Sequence, residues 1–151
     1  MPYTDLHVLC PALARAETRS ISVLNFGSES GAPPGDYGFC EMYCDEPGCD
    51  CRRVIFRVLS RARGGTVAHI GWGWEEASYY LNWITEKDPA RARQMQGPEL
   101  EVLCPQSDIA PFMLNLFKEF LLPDTVYCQR IISHYRSFRA IVEQRARRRK
   151  W

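Results

Sequence analysis

The sequence lacks the long apolar run and the leader pattern that mark membrane and secreted proteins. No stretch of its 151 residues approaches the roughly 20 apolar residues that a membrane-spanning helix needs. The first residues, from Met1 to His7, have neither the basic start nor the apolar run of a secretory signal. We therefore expect a cytoplasmic protein with no membrane partner.

Two familiar cofactor and catalytic patterns are also missing. Gly71 and Gly73 do not open a dinucleotide-binding loop, because Glu76 stands where the third glycine of such a loop falls. The zinc nucleobase deaminases carry His-x-Glu followed by Pro-Cys-x-x-Cys, and neither pattern occurs here. These absences argue against both classes.

What the chain does have is the composition of an ordinary globular domain. Hydrophobic residues make up 46% and charged residues 25% of the sequence, both usual for a protein with a single core. A metal site would therefore add to this core and would not replace it. We expect one domain over residues 1–144, followed by a basic tail over residues 145–151.

The first half of the chain carries strand patterns. Tyr37, Phe39 and Tyr43 alternate on one face of the second predicted strand, and Val54, Phe56 and Val58 do so on the third. Before residue 17 no clear periodicity appears. The pattern predicts strands over 17–26, 36–44, 53–61 and 66–72, with a loop over 27–35.

The second half carries helix patterns. Asp88 before Pro89 resembles an N-cap followed by proline in the first turn. In the last helix, apolar residues recur at spacings of three and four as one stripe, which comprises Cys128, Ile131, Tyr135, Phe138 and Val142. Helices are expected over 74–85, 89–96, from Ser107 or Asp108 onward, and after Pro123, with an edge strand over 99–104.

These patterns together predict an α+β fold. A small antiparallel sheet of three or four strands comes from the N-terminal half, and C-terminal helices pack on one of its faces.

Three of the seven cysteines lie within eight residues, at Cys44, Cys49 and Cys51. Zinc takes four ligands, with thiolate sulfurs about 2.3 Å away. Pro47 and Gly48 supply a bend that brings the three sulfurs together, and the two arginines that follow, 52 and 53, offset part of the thiolate charge. The turn joins two strands that we expect to pair antiparallel. The cluster predicts a zinc site.

The fourth ligand is not determined by the sequence. Cys40 is awkward, since four extended residues separate its α-carbon from that of Cys44 by about 13 Å. The candidates for the fourth position are His7, Cys10, Cys40, Cys104, Cys128 and His134.

Other readings of the cluster stay open. Its spacing, Cys-x4-Cys-x-Cys, is one residue short of the pattern in plant-type ferredoxins, which makes an iron–sulfur cluster a weaker alternative. The three cysteines could also be unligated thiols in a surface turn, or serve a redox role. The odd number of cysteines fits poorly with a full disulfide framework.

The run from Tyr43 to Arg53, preceded by Gly-Asp-Tyr-Gly-Phe, resembles a signature of uncharacterised bacterial proteins, over about residues 35–60. The resemblance implies a bacterial, cytoplasmic protein. The run is also loosely similar to short cysteine-rich metal-binding motifs appended to secretion-related proteins, from which it departs in spacing. Neither resemblance assigns a role to any residue.

The preferred function is a small zinc-binding protein whose metal is structural, acting as an interaction or regulatory module. The first alternative is a zinc-dependent hydrolase, in which the three cysteines and a water bind the metal and a base acts beside it. The candidates for that base are Glu41, His69 and Glu75.

The second alternative is a nucleic-acid-binding accessory protein. Residues 136–151 carry a net charge of +6, so the other 135 residues carry −5. Such a basic end would give salt-sensitive and sequence-independent attraction to phosphates. The residues that would make this contact are Arg145, Arg147, Arg148, Arg149 and Lys150.

Overall fold

A computed structural model of the chain describes residues 2–25 and 30–149. Its central element is a six-stranded antiparallel sheet. Both β1 and β2 pair with β3 along one edge, and the order continues through β4 and β5 to β6. The strands are β1 (Tyr3–Asp5), β2 (Arg19–Val23), β3 (Gly35–Cys44), β4 (Arg53–Ser60), β5 (Gly65–Gly73) and β6 (Glu99–Leu100).

The helices flank this sheet. They are α1 (Leu6–Leu9), α2 (Pro11–Glu17), α3 (Ala77–Trp83), α4 (Pro89–Gln96), α5 (Ala110–Leu116), which continues as a π-helical segment over Phe117–Leu121, and α6 (Thr125–Arg149). Asp88 caps α4 as predicted, since its Oδ1 accepts the backbone N–H of Ala90 at 3.0 Å. Asp124 does the same for Tyr127 at the start of α6, also at 3.0 Å. Within the described residues, no helix combines the length and the apolar character needed to cross a membrane.

The main core lies between the sheet and α5 and α6. The alternating aromatic residues of β3 are buried as predicted, and Tyr43 packs against Phe138 of α6 with ring centroids 5.6 Å apart. Phe56 of β4 meets Phe117 at 4.8 Å. The face that the two-residue period assigns to the core is therefore the face that the long helices cover, and the predicted α+β class is confirmed.

A smaller cluster forms where α3 and α4 meet. Its buried members are Tyr80, Ala92 and Met95. Gly73 at the end of β5 makes room for it, because a Cβ at this position would lie 2.0 Å from the Tyr80 hydroxyl. Tyr80 of this cluster contacts the chain segment that holds the cysteines, through a hydrogen bond to the carbonyl of Arg52.

The structure differs from the predictions mainly at sheet edges. The N-terminal residues, which show no clear periodicity, form β1, which pairs with β3, and the short helices α1 and α2. That pairing and the short β6 make six strands where three or four were expected. The predicted edge strand 99–104 shrinks to two residues. Residue 26 of the first predicted strand and residues 27–29 of the loop lie outside the described residues.

Candidate metal centre

The three clustered cysteines come together at one end of the sheet. Cys44 is the last residue of β3, Cys49 lies in the turn, and Cys51 is separated from β4 by Arg52 alone. Their three Sγ atoms all lie within 4.8 Å of one another, an arrangement that could hold a metal ion. Cys44 and Cys51 are buried and Cys49 is half-buried, so Cys49 is the most accessible of the three.

The backbone bends as the Pro-Gly pair predicts. Pro47 and Gly48 form the turn, and Gly48 has a φ of 77°, in the left-handed region that glycine tolerates best. The N–H of Cys49 donates to the carbonyl of Glu46 at 3.2 Å and closes the turn. The strands on either side, β3 and β4, pair antiparallel as expected.

The three thiols differ in acidity. The pKa of Cys51 falls to about 6, chiefly because the Cys44 thiol donates a hydrogen bond to it; burial opposes this effect, and the Tyr3 hydroxyl and the backbone N–H of Arg53 add to it. The same hydrogen bond, together with burial, raises the pKa of Cys44. Burial also raises the pKa of Cys49. Without an ion, Cys51 therefore carries the negative charge of the group at neutral pH.

Helix α6 holds the turn from the core side. Tyr135 accepts the backbone N–H of Arg52 at 3.2 Å and donates to Asp50 Oδ1 at 2.9 Å. Four residues later, Arg139 donates to the carbonyl oxygen of Cys44 at 2.7 Å. After another four, Glu143 Oε1 accepts the N–H of Gly48 at 2.6 Å. Residues spaced by four share a helix face, so one edge of α6 follows the whole turn.

Helix α3 holds the turn from the other side. The Tyr80 hydroxyl donates to the carbonyl of Arg52 at 2.9 Å, and the Tyr79 hydroxyl donates to that of Asp50. The Arg52 guanidinium lies over the Tyr79 ring at 4.6 Å and forms ion pairs with Asp50 and Glu75. Arg52 itself has a φ of 50°, a strained value for a residue with a side chain, and these contacts keep it there.

A cavity of about 280 Å³ opens beside the three cysteines. Tyr3 of β1 lies in its wall, with its hydroxyl 3.6 Å from Cys51 Sγ. Arg53 and Glu101 form a buried ion pair there, with Nη2 and Oε2 3.2 Å apart, and Arg53 Nε also donates to the carbonyl of Met95 at 2.6 Å. The cavity wall thus contains the three cysteines, the Tyr3 hydroxyl and the ion pair of Arg53 with Glu101.

None of the six candidates for the fourth ligand joins the three-cysteine group in the described part of the chain. Cys40 lies in the middle of β3, opposite Arg57. His134 is fully buried, and its Nδ1 lies 2.6 Å from Glu41 Oε1. Cys128 Sγ contacts the carbonyl of Leu122 at 3.4 Å. His7 and Cys10 belong to the segment of α1 and α2, and Cys104 follows β6.

The candidate bases of the hydrolase alternative also lie away from the cavity wall. Glu41 is buried beside His134 and accepts the Tyr43 hydroxyl at 2.6 Å. His69 Nδ1 lies 2.8 Å from the carbonyl of Pro105. Glu75 pairs with Arg52 at 3.3 Å. The carboxylates that line the cavity are those of residues 46, 99 and 101, which the sequence analysis did not single out.

The basic end continues α6 up to Arg149. Its four arginines are exposed, and they are Arg145, Arg147, Arg148 and Arg149. Lys150 and Trp151 of the predicted tail lie outside the described residues. The boundary between a domain over 1–144 and a tail stays a prediction, as does the nucleic-acid role.

The contacts of α6 with the turn are not among the features predicted from the sequence, although a signal exists. Arg139 and Glu143 follow Tyr135 of the predicted stripe at spacings of four, beside the stripe, and Glu143 is the one acid among residues 136–151. Tyr3 and Glu101 offer no such signal, because each lies 48 residues from its partner near the turn.

Fold and site together define an α+β protein with a three-cysteine group at one end of its sheet. Comparison with known proteins gives no matching family model, no matching curated protein and no matching solved structure. The resemblance to the bacterial signature therefore stays a prediction.

Proposed function

We propose that this chain is a zinc-binding protein in which Cys44, Cys49 and Cys51 hold one ion. The observation that carries the proposal is the mutual distance of the three Sγ atoms, at most 4.8 Å. A tetrahedral zinc ion with bonds of about 2.3 Å sets its sulfurs roughly 3.8 Å apart. The three sulfurs need to close by about 1 Å or less to reach that geometry, a shift that side-chain rotation in a turn supplies.

The donor set favours zinc over other metals. Thiolates are soft ligands, which select zinc, copper(I) or iron–sulfur clusters. An iron–sulfur cluster takes four protein ligands, usually cysteines, whereas the group in the described residues contains three. Hard cations such as magnesium and calcium prefer oxygen ligands. The group therefore suits a single soft ion, and among these we propose zinc.

The ion has a structural role in this proposal. The turn carries hydrogen bonds to α3 through Tyr80 and to α6 through Arg139 and Glu143. An ion bound to its sulfurs fixes the turn in the shape that makes these contacts. Because the sheet and helices have a large core of their own, we expect the ion to order this end of the protein without being needed for the remainder of the fold. Such a module serves interaction or regulation.

Elemental analysis of the purified, reduced protein tests the proposal. We expect close to one equivalent of zinc, and loss of that zinc in Cys49→Ser. Cys128→Ser is the matched control, since that cysteine lies in α6 outside the group. A circular dichroism spectrum of each variant establishes that it is folded.

Two results would overturn the proposal. One is a folded wild-type protein that neither contains zinc nor takes it up after reduction and incubation with zinc. The other is a Cys49→Ser variant that retains as much zinc as the Cys128→Ser control.

A further inference from the structure

The cavity beside the cysteines is the space in which we look for a fourth zinc ligand. All three cysteines form part of its wall. In the described part of the chain, no fourth His, Cys, Asp or Glu joins their group. Zinc in proteins is almost always completed to four ligands, and an open position is filled by water or by a bound molecule. The cavity thus offers space beside the three sulfurs for such a molecule.

We propose that this cavity binds a small thiol compound of the amino-acid type, whose sulfur becomes the fourth ligand of the zinc ion. This inference rests on the proposed zinc site, and it goes further by naming the chemical class of the ligand. Three properties of the cavity support this inference: its sulfurs, the charged groups of its wall, and its volume.

The sulfurs favour a sulfur ligand. Zinc bound by three thiolates has a net charge of −1 and is rich in electrons, so it polarises water less than zinc bound by histidines. A fourth thiolate completes a set of soft ligands. In the binding step the thiol R–SH loses its proton to water, its sulfur forms the Zn–S bond, and the zinc-bound water leaves; the net products are the four-thiolate complex and one hydronium ion.

The charged groups favour an amino acid. Arg91 of α4 lies in the wall and takes part in none of the ion pairs of the described residues, so its guanidinium is available for a carboxylate. Glu46 and Glu99 also lie in the wall outside those ion pairs, and they are available for an ammonium group. Arg53 differs, because Glu101 already pairs with it.

The volume favours a small molecule. About 280 Å³ is just below the usual range for drug-sized ligands, roughly 300–1,000 Å³. Apolar side chains, including those of Trp83 and Leu100, form another part of the wall, and they suit a short aliphatic chain between the sulfur and the charged groups. A free amino-acid thiol such as cysteine fits this description, whereas a long peptide does not.

Cobalt(II) in place of zinc makes the binding visible, because sulfur-to-cobalt absorption grows with the number of thiolates. The reduced, cobalt-loaded full-length protein is titrated with L-cysteine. We expect a saturable rise of about one third in that absorption, as a fourth thiolate joins three. L-Serine and S-methyl-L-cysteine, which lack the thiol, should leave it unchanged.

Arg91→Ala tests the carboxylate contact. We expect it to weaken L-cysteine binding about tenfold or more, in line with the loss of a hydrogen bond between charged groups. Arg93→Ala is the control on the same helix, since Arg93 is exposed and lies outside the cavity wall. Cysteamine, which lacks the carboxylate, should bind equally to both variants.

The outcomes separate the two proposals. If cobalt does not bind, the zinc site itself is wrong. If cobalt binds and L-cysteine changes nothing, or if the ligand-free spectrum already shows four thiolates, the zinc site stands and the ligand proposal falls. A four-thiolate spectrum that appears only at high protein concentration assigns the fourth sulfur to a second copy of the chain, which also overturns it.

Discussion

The guanidinium of Arg139 reaches from the middle of α6 to the carbonyl oxygen of Cys44, with 2.7 Å between Nη1 and the oxygen. Arg139 is nearly buried, and its Nη2 also donates to Glu143 Oε1 at 2.5 Å. Glu143 in turn accepts the N–H of Gly48. Arg139 therefore links the helix directly to the beginning of the turn at Cys44, and through Glu143 to its middle at Gly48.

Loss of this link should weaken metal binding. We expect Arg139→Met to reduce zinc affinity about 10- to 100-fold, the usual cost of removing a group that orients a metal ligand. The affinity is measured by competition with a chromophoric chelator. Arg136→Met is the control, because Arg136 is exposed on another face of the same helix. Equal affinities for the two variants would contradict a role of Arg139 in orienting Cys44.

Gly73 should not tolerate a side chain. A Cβ there would lie 2.0 Å from the Tyr80 hydroxyl and 3.1 Å from the carbonyl of Met95, so Tyr80 would have to move and lose its bond to Arg52. We expect Gly73→Ala to lower the free energy of unfolding by about 1–3 kcal/mol, the usual cost of overpacking. Urea denaturation of the zinc-loaded protein measures it.

Gly38→Ala serves as the reference for that measurement. Gly38 also lies in a strand, and a Cβ there would meet no atom within 4 Å. The alanine at this position should leave the stability within about 0.5 kcal/mol of the wild-type value, as most substitutions away from packed sites do. If both variants were equally stable, the close packing of Tyr80 over Gly73 would be refuted.

Removing one partner of the buried ion pair between Arg53 and Glu101 should lower the free energy of unfolding. In Arg53→Met, the Glu101 carboxylate is left buried without its partner, and we expect a loss of about 3–5 kcal/mol in unfolding free energy. The double variant Arg53→Met with Glu101→Leu removes both charges and should recover most of that loss. A double variant no more stable than the single one would show that the pair contributes chiefly through the bond from Arg53 to Met95.

His134 should make stability depend on pH. Burial lowers its pKa, but the hydrogen bond and charge of Glu41, together with those of Glu17, outweigh burial and raise the pKa above its ordinary value. Because the pKa is higher in the folded than in the unfolded state, protonated His134 stabilises the fold. This contribution is complete below the unfolded pKa, about 6.5, and is lost as the pH rises through the folded pKa. The stability lost in His134→Gln should therefore be larger at pH 6 than at pH 9.

His7→Gln is the control for this pH comparison, since His7 is exposed. Glu17, which also contacts His134, does not disturb this window. The bond to Arg130 is the chief reason that the pKa of Glu17 falls to about 2, so its own contribution is lost only in strong acid. Subtracting the His7→Gln curve cancels the pH dependence of the thiols. A difference that stays constant from pH 6 to 9 would contradict a charged His134.

The parts of the fold that the sequence predicts are those that local patterns determine. The alternation in β3 and β4 places Tyr43 and Phe56 in the core, and Asp88 before Pro89 marks the start of α4. The cysteine turn is predictable for the same reason, because its bend depends on the adjacent residues Pro47 and Gly48. Such features depend only on residues that lie within a few positions of one another in the sequence.

The surroundings of the cysteines could not be predicted in this way. Tyr3 and Glu101 approach the turn from segments 48 residues away from their partners, and Arg139 lies 95 residues from Cys44. These contacts follow from the pairing of β1 with β3 and of β6 with β5, and from the contact of α6 with the turn. No short-range period in the sequence reports such pairings. For the same reason the sequence indicates Glu41, His69 and Glu75 as candidate bases, and it does not indicate the carboxylates that line the cavity.

When no ion is bound, the closeness of the three sulfurs also makes them sensitive to oxidation. Cys51 is largely a thiolate at neutral pH, and thiolates are the form of cysteine that oxidants attack. In air, Cys51 should become a sulfenic acid and then condense with Cys44 or Cys49 to form a disulfide. Protein that has lost its ion should therefore slowly convert to this disulfide form, which binds metal again only after a reductant is added.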